Sequence, residues 1–274
     1  MPELPEVETI VRGLNPLLKG KKVRDFFFLS SHLWFRQPSS LKPDDYRAKV
    51  IRSIRRRGKM VIFEFEEGLG LLVHLKMTGQ LYLAEKHLPV DKHTHARMTF
   101  SDFNREIRFR DVRKFGFLSC LQLEEIEKKL NSELGPEPLQ IDFPVFRRLL
   151  RRHGQKRIKG WLLDQKILAG IGNIYSDEIL FRAGFHPERK AASLSELEAR
   201  RLFKVMKKVL KRAIELKGSS VSDYVDFQGE KGGYQQEHQV YDREGELCRR
   251  CRKATIRRQR ICGRSSFYCP KCQV

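Results

Sequence analysis

Pro2, Glu3 and Glu6 open the chain in the string Met1-Pro2-Glu3-Leu4-Pro5-Glu6, and their types and spacing suit amine chemistry. Proline in second position favours removal of the initiator methionine, which would leave the secondary amine of Pro2 terminal and beside two carboxylates. An α-amino group titrates near 7.7–8.0 and a lysine near 10.4, so freeing a lysine amine at neutral pH costs about 3 kcal/mol more. A secondary amine that adds to a sugar aldehyde gives a permanently charged iminium, an electron sink of the Schiff-base kind. Glu3 is close enough to shuttle protons to the same centre. The same string also reads as a plain helix start, because Pro belongs in the first turn and acids favour its positive end.

A second constellation closes the chain. Four of the six cysteines form the pairs Cys248-x2-Cys251 and Cys269-x2-Cys272, a spacing that reads as metal binding rather than disulfides. Four thiolates complete a tetrahedral zinc shell with no open position, so one structural Zn2+ is expected. From Leu247 onward there are nine Lys/Arg and no Asp/Glu. A segment too small for a core, held by metal and this basic, presents side chains to phosphates or a groove. Gly263-Arg264-Ser265 reads as a tight turn near its tip. Cys120 and Cys262 read as inert thiols, since nothing marks either as activated.

The elements that must position these residues follow from periodicity. Val7, Ile10, Val11 and Leu14 give a first helix from Pro5 to about Leu18, ended by Gly20. From 48 to about 120 the pattern becomes short alternating strands with turn signals, including Val61–Phe65, Leu71–Leu75, Gln80–Leu83 and Ile107–Phe109, which indicates an all-β sandwich or barrel carrying the helix. Helical spacing takes over near Asp142 and runs to about His153. A second helix is expected from Trp161 to Leu168, broken at Ala169-Gly170-Ile171-Gly172, and a third capped by Asn173 and ended by Gly184. Ser195-x-x-Glu198 is a capping box that opens a long basic helix stopping at Gly218. Residues 219–239 read as a polar loop longer than a simple connection.

With 274 residues the chain suits one large domain or two to three smaller ones. Its formal net charge of +21, from 55 Lys+Arg against 34 Asp+Glu, points to a polyanionic partner, nucleic acid before a membrane surface. No segment approaches a membrane span and no signal peptide is indicated. In that setting Arg55-Arg56-Arg57-Gly58-Lys59 reads as a basic turn beside a strand. Met77, Arg113 and Phe115 fall at turns, where apolar side chains beside arginine can wedge into a base stack and fill the space of an extruded nucleotide; Met77 and Phe115 also read as ordinary core residues. The start of the Asn173 helix suits a phosphate.

Taken together these stretches resemble the formamidopyrimidine-DNA glycosylase family, bacterial enzymes that excise 8-oxoguanine and ring-opened purines. The resemblance runs through Pro2 to Thr9, the Lys59 strand, His74 to Gly79, Lys92 to His95, Asp111 to Gly116, Gly135 to Pro138, Leu163 to Tyr175, Asp223 to Val225 and the cysteine module. It implies an α+β multidomain fold: an N-terminal β-sandwich with flanking helix over 1–135, a helix–two-turns–helix domain with the lesion loop over 136–235, and a zinc-finger hairpin over 236–274. It further implies that Pro2 attacks C1′ and displaces the base, that Glu3 protonates the sugar, and that elimination then cuts the strand on both sides. Lys59 and Arg264 would contact phosphates and assist elimination, Asn173 would hold a backbone phosphate, and Lys159 would make a similar contact. His93 and Arg113 match DNA contacts, and Met77, Arg113 and Phe115 the intercalating set. Glu6 would lie near the extruded base, with Tyr224 and Tyr234 on the loop closing over it.

The 17 residues between the cysteine pairs are one more than the family's usual spacing, and the extra residue falls on the first arm of the hairpin. The expected partner is double-stranded DNA containing a damaged base, bound by a monomer in the bacterial cytoplasm and at the nucleoid. An endonuclease VIII-like enzyme for oxidised pyrimidines and a non-catalytic DNA-structure binder are the alternatives.

Overall fold

The computed structural model describes residues 1–29, 41–221 and 223–274. Ser222, inside the polar loop read above, lies outside them. By contact the chain divides into two compact units, Met1–Ser132 with Leu216–Gly233, and Glu133–Glu215 with Tyr234–Val274.

The first unit begins with α1, Leu4–Leu18, followed by β1, Val23–Phe28. Two four-stranded antiparallel sheets come next. One has the order β1-β6-β7-β5, built from β5 (Gly79–Glu85), β6 (Thr94–Phe100) and β7 (Phe103–Asp111) beside β1. The other has the order β2-β3-β4-β8, with β2 at Ile51–Arg57, β3 at Met60–Phe65, β4 at Leu69–His74 and β8 at Phe117–Gln122. Val7, Ile10 and Leu14 of α1 share one buried core with Phe26, Phe63, Leu71, Met98 and Phe109 from both sheets, which is the expected sandwich with its helix. Burying several such side chains stabilises the sandwich by about 1.5–3 kcal/mol each before entropy is counted. Two elements are absent from the sequence reading. In β1 a register shift between Val23 and Asp25 breaks the alternation that marks a strand. In α2, Leu123–Glu133, only Ile126 and Leu130 are buried, too short an apolar stripe to stand out.

The second unit carries α3 (Phe143–Arg152), α4 (Ile158–Leu163), α5 (Asn173–Ala183), α6 (Glu196–Glu215) and the hairpin of β9 (Arg257–Ile261) and β10 (Arg264–Tyr268). Asp142 caps α3 by accepting from the Val145 amide at 2.8 Å, and the Ser195/Glu198 capping box is formed in both directions. The helix expected at 161–168 is shorter and earlier. It stops at Leu163 because Asp164 turns the chain, its side chain accepting from the Lys166 amide at 3.0 Å. Gln165 then satisfies the two-glycine turn: Nε2 donates to Ile171 O and Oε1 accepts from Gly170 N, both at 2.8 Å. Gly172, not Asn173, occupies the cap position of α5; Asn173 is its first helical residue, with its side chain committed elsewhere.

Candidate functional site

In the first unit the front of α1 is built around Glu6. Its Oε2 accepts from the Glu3 amide at 2.8 Å and its Oε1 from the Ser219 amide at 2.7 Å. One carboxylate thus fixes both the start of the helix and a residue 213 positions away. Tyr224 is buried in the sandwich core and its hydroxyl donates to Lys217 O at 3.1 Å and Glu6 O at 3.3 Å. Gly218 sits at φ +79, and an added Cβ there would lie 2.7 Å from Glu6 Oε1. Only glycine takes that backbone and that approach together. Further along, Phe227 packs on α1 where Gly13 leaves room, an added Cβ falling 2.0 Å from its ring, while its carbonyl accepts from Leu83 N at 2.9 Å. Residues 216–221 and 223–233 are therefore folded onto the helix headed by Pro2 and Glu3, which are both buried while Met1 is exposed.

Lys59 is brought to the same helix by Arg56. Gly58 and Lys59 form the turn between paired Arg57 and Met60. Arg56 donates from Nη1 to Gly58 O at 3.0 Å and from Nε to Glu8 Oε2 of α1 at 2.8 Å. Burial pushes the Glu8 carboxyl up, but Arg56 and Arg12 outweigh it and hold the group below its ordinary value. His74 stands opposite Met60 across the β3–β4 ladder. Burial, with the charges of Lys76 and Lys59 behind it, holds its imidazole down at about 3, and Nδ1 accepts from the Lys76 amide at 2.9 Å. The ring is neutral at physiological pH.

Met77, Arg113 and Phe115 do come together. Arg113 Nη1 donates to Met77 Sδ at 3.4 Å, and its guanidinium lies 4.6 Å from the Phe115 ring centroid. Met77 and Phe115 remain 42% and 38% exposed, so they are not core residues. Asp111, which the sequence reading did not single out, organises both turns. Its Oδ1 accepts from Thr78 Oγ1 at 2.5 Å and Arg113 N at 3.2 Å, its Oδ2 from Gly116 N at 2.6 Å, and its amide donates to His93 O at 2.9 Å. Asp111 thus presents the turns of Met77, Arg113 and Phe115 through its buried carboxylate and the His93 turn through its amide. His93 is half-buried.

In the second unit α4 and α5 grip the hairpin beside Arg264. The tip is the two-residue turn Cys262-Gly263, both at positive φ, so Arg264 is the exposed first residue of β10 rather than part of the turn. Its neighbour Ser265 offers a carbonyl to Asn173 Nδ2 at 2.9 Å and to Lys159 Nζ at 3.1 Å. Lys159 also donates to Asp177 Oδ1 at 2.6 Å, and Asp177 Oδ2 accepts from Phe267 N at 3.0 Å. Lys159 is 0% exposed. The expected phosphate contact is corrected on that ground: its amine is desolvated and taken by Asp177 and Ser265, so it positions β10 instead. Burial pushes the Asp177 carboxyl up to about 7 against the pull of Lys159 and the Phe267 amide. The next residue, Glu178, is also buried and accepts from the amides of Gln239, Val240 and Tyr241 at 3.0 Å each. Asp177 and Glu178 were legible only as two consecutive acids inside the apolar run of α5. Tyr234 is buried against the Tyr175 and His238 rings, with the Arg182 guanidinium 5.9 Å from its centroid.

Cys248, Cys251, Cys269 and Cys272 place their sulfurs within 4.8 Å of one another, two of the separations being 3.8 Å. Tetrahedral M–S bonds of about 2.3 Å require edges of about 3.8 Å, so the four thiols suit one closed four-coordinate ion. The Lys253 amide draws the Cys251 thiol down to about 6. Gln273 braces the site, accepting from Cys269 N and donating to Phe185 O, both at 2.9 Å.

Family comparison agrees with this geometry. Residues 1–118 match the formamidopyrimidine-DNA glycosylase N-terminal domain, and 134–225 match the H2TH domain of the same proteins. The chain is 43% identical to a formamidopyrimidine-DNA glycosylase of Carboxydothermus hydrogenoformans over 279 residues, covering 100% of both chains. It is 43% identical to one of Solibacter usitatus over 273 residues, covering 100% of this chain and 99% of that one. Among solved structures, Lactococcus lactis Fpg bound to DNA containing an abasic site superposes with a TM-score of 0.90 at 37% identity, over 99% of each chain. No helix among the described residues is long and apolar enough to cross a membrane.

Proposed function

The chain belongs to the formamidopyrimidine-DNA glycosylase family of base-excision-repair DNA glycosylases and abasic-site lyases, and on that premise we propose that it removes oxidised purines from duplex DNA through Pro2. Once Met1 is removed, the Pro2 nitrogen donates its electron pair to C1′ as the N-glycosidic bond breaks and the base leaves with a proton. Glu3 protonates O4′, the sugar ring opens, and the Pro2–C1′ iminium draws electrons as the C2′ proton is lost and the 3′-phosphate departs. A second elimination expels the 5′-phosphate. The observation that carries this reading is the buried placement of Pro2 and Glu3 at the head of α1, with the 216–233 segment fastened there by Glu6 and Ser219.

The other residues take roles that their surroundings support. Lys59, tied to α1 through Arg56, supplies positive charge near the departing phosphates, and neutral His74 adds no competing proton beside it. Arg264 is the exposed side chain of a β10 that Lys159, Asn173 and Asp177 hold, and meets a phosphate from there. Asn173 also faces the backbone through the start of α5. Met77 and Phe115 enter the base stack with Arg113, and His93 lies on the same Asp111 scaffold. Glu6 and Tyr224 shape the space for the base by anchoring the loop, while Tyr234, buried against Tyr175 and His238, supports the loop's end from within the second unit. The four cysteines hold one Zn2+, whose contribution is to fix the hairpin. We keep 1–135, 136–235 and 236–274 as the functional parts, with the lesion loop extending from the helical part while packing on the first. A monomer working on damaged duplex DNA in the bacterial cytoplasm and nucleoid fits the charge and the relatives.

Borohydride reduction during turnover on an 8-oxoguanine duplex tests the proposal. A covalent protein–DNA adduct is expected, and faster release from thymine glycol than from 8-oxoguanine would favour the oxidised-pyrimidine reading instead.

A further inference from the structure

The second unit carries a groove of about 910 Å³ along α6; of the residues considered for the catalytic site it touches only the buried ring of Tyr234. Seven Lys/Arg line it against two carboxylates, Glu215 and Glu237, and Arg212 engages both, at 3.2 and 2.6 Å. Lys204, Lys208 and Lys211 stand exposed along one face of the helix, at i, i+4 and i+7. Among the described residues none of these three amines has a hydrogen-bond or ion-pair partner. Burial, and after it the charge of Lys211, holds the neighbouring Lys207 below the ordinary lysine range; an anion in the groove would relieve that crowding. From Lys204 to Lys211 the helix rises about 10.5 Å, close to three base-pair rises of about 3.4 Å along the axis of a duplex. The groove lies at the far end of α5 from the proposed phosphate contact. Arg182 lines it near the C-terminus of that helix, while Asn173 begins it, about 14 Å away at 1.5 Å per residue. The lining holds no exposed large apolar side chain, as a face inserted into lipid would require.

We propose that this groove is a second nucleic-acid site, which takes the sugar-phosphate backbone of a further duplex segment while the lesion-bearing segment occupies the catalytic site. A protein so built holds two stretches of DNA at once and passes between them without full release.

The test saturates the enzyme with an unlabelled duplex containing a tetrahydrofuran abasic analogue, then titrates a labelled undamaged duplex by anisotropy across a salt series. Formation of the first complex is scored separately, so failure there counts against the glycosylase reading and not against this one. The wild-type protein should form the ternary complex. The K204Q/K208Q/K211Q variant should bind the second duplex at least tenfold more weakly, with its log–log salt slope smaller by about 2.7, or 0.9 for each lost phosphate contact. Its base release from a short lesion duplex should be unchanged. No ternary complex with wild-type protein, or equal second binding and slope in the variant, would overturn the proposal. So would a groove that takes polyglutamate or phosphatidylglycerol vesicles and refuses duplex.

Discussion

Replacing Glu6 with glutamine should unfasten the 216–233 segment. In the native structure both carboxylate oxygens accept a backbone N–H, from Glu3 at 2.8 Å and from Ser219 at 2.7 Å. An amide has one oxygen to accept with, and its NH2 group would face the other N–H donor to donor. The loss is one hydrogen bond to a charged acceptor, worth about 1.5–3 kcal/mol, together with part of the penalty for a buried unmet donor. A total of about 2–4 kcal/mol corresponds to roughly 30- to 1,000-fold in the opening equilibrium. The Ser219 amide is itself the reporter, because it exchanges with solvent only when the segment lifts. Hydrogen exchange of Glu6→Gln should show that amide, and those of 216–221, accelerated by this factor, while the β3–β4 amides keep their protection. Glu8→Gln breaks the pairs to Arg12 and Arg56 without touching the loop and serves as the control. Unchanged Ser219 exchange in Glu6→Gln would refute the tether.

Other perturbations have equally definite outcomes. Lys159→Met should destabilise the second unit by about 1–3 kcal/mol, since it leaves the buried Asp177 carboxyl, already pushed up to about 7 beside the lysine, and the Ser265 carbonyl without their donor; Lys159→Met/Asp177→Leu should cost less than the single change, and a denaturation series in which the double variant is the weaker would contradict the pairing. His74 is neutral in the fold, with its folded value near 3 below the ordinary 6.5, so its contribution is complete above pH 6.5 and is lost as pH falls toward 3. About 2 kcal/mol should disappear between pH 7 and 5, and a His74→Asn protein should show a correspondingly flatter stability profile. Chelation should release one zinc per chain and deprotect the 257–268 hairpin while leaving the sandwich intact.

What could be read from the sequence was local. Helix α1, the Ser195/Glu198 capping box, the Gly184 stop and the cysteine spacing each depend on neighbours within a few residues, and all appear in the structure. The residues that escaped notice act across the chain. Asp111 spends its carboxylate on three turn groups, Gln165 closes a glycine turn from within, and Asp177 and Glu178 face inward from a helix that otherwise reads as apolar. Nothing in periodicity shows which acid is buried. Lys159 failed for the same reason: its surroundings come from β10, some 106 residues away. Glu6 was recognised as a residue of the site, but its bond to Ser219 became visible only in three dimensions.

The central claim is that Pro2 becomes covalently joined to deoxyribose, and the most direct measurement is the location of the reduced adduct. After borohydride trapping on an 8-oxoguanine duplex, nuclease and protease digestion with peptide mass spectrometry should place the sugar remnant on the nitrogen of an unblocked Pro2. A remnant on Lys59, or adduct formation by protein that still carries Met1, would contradict the account.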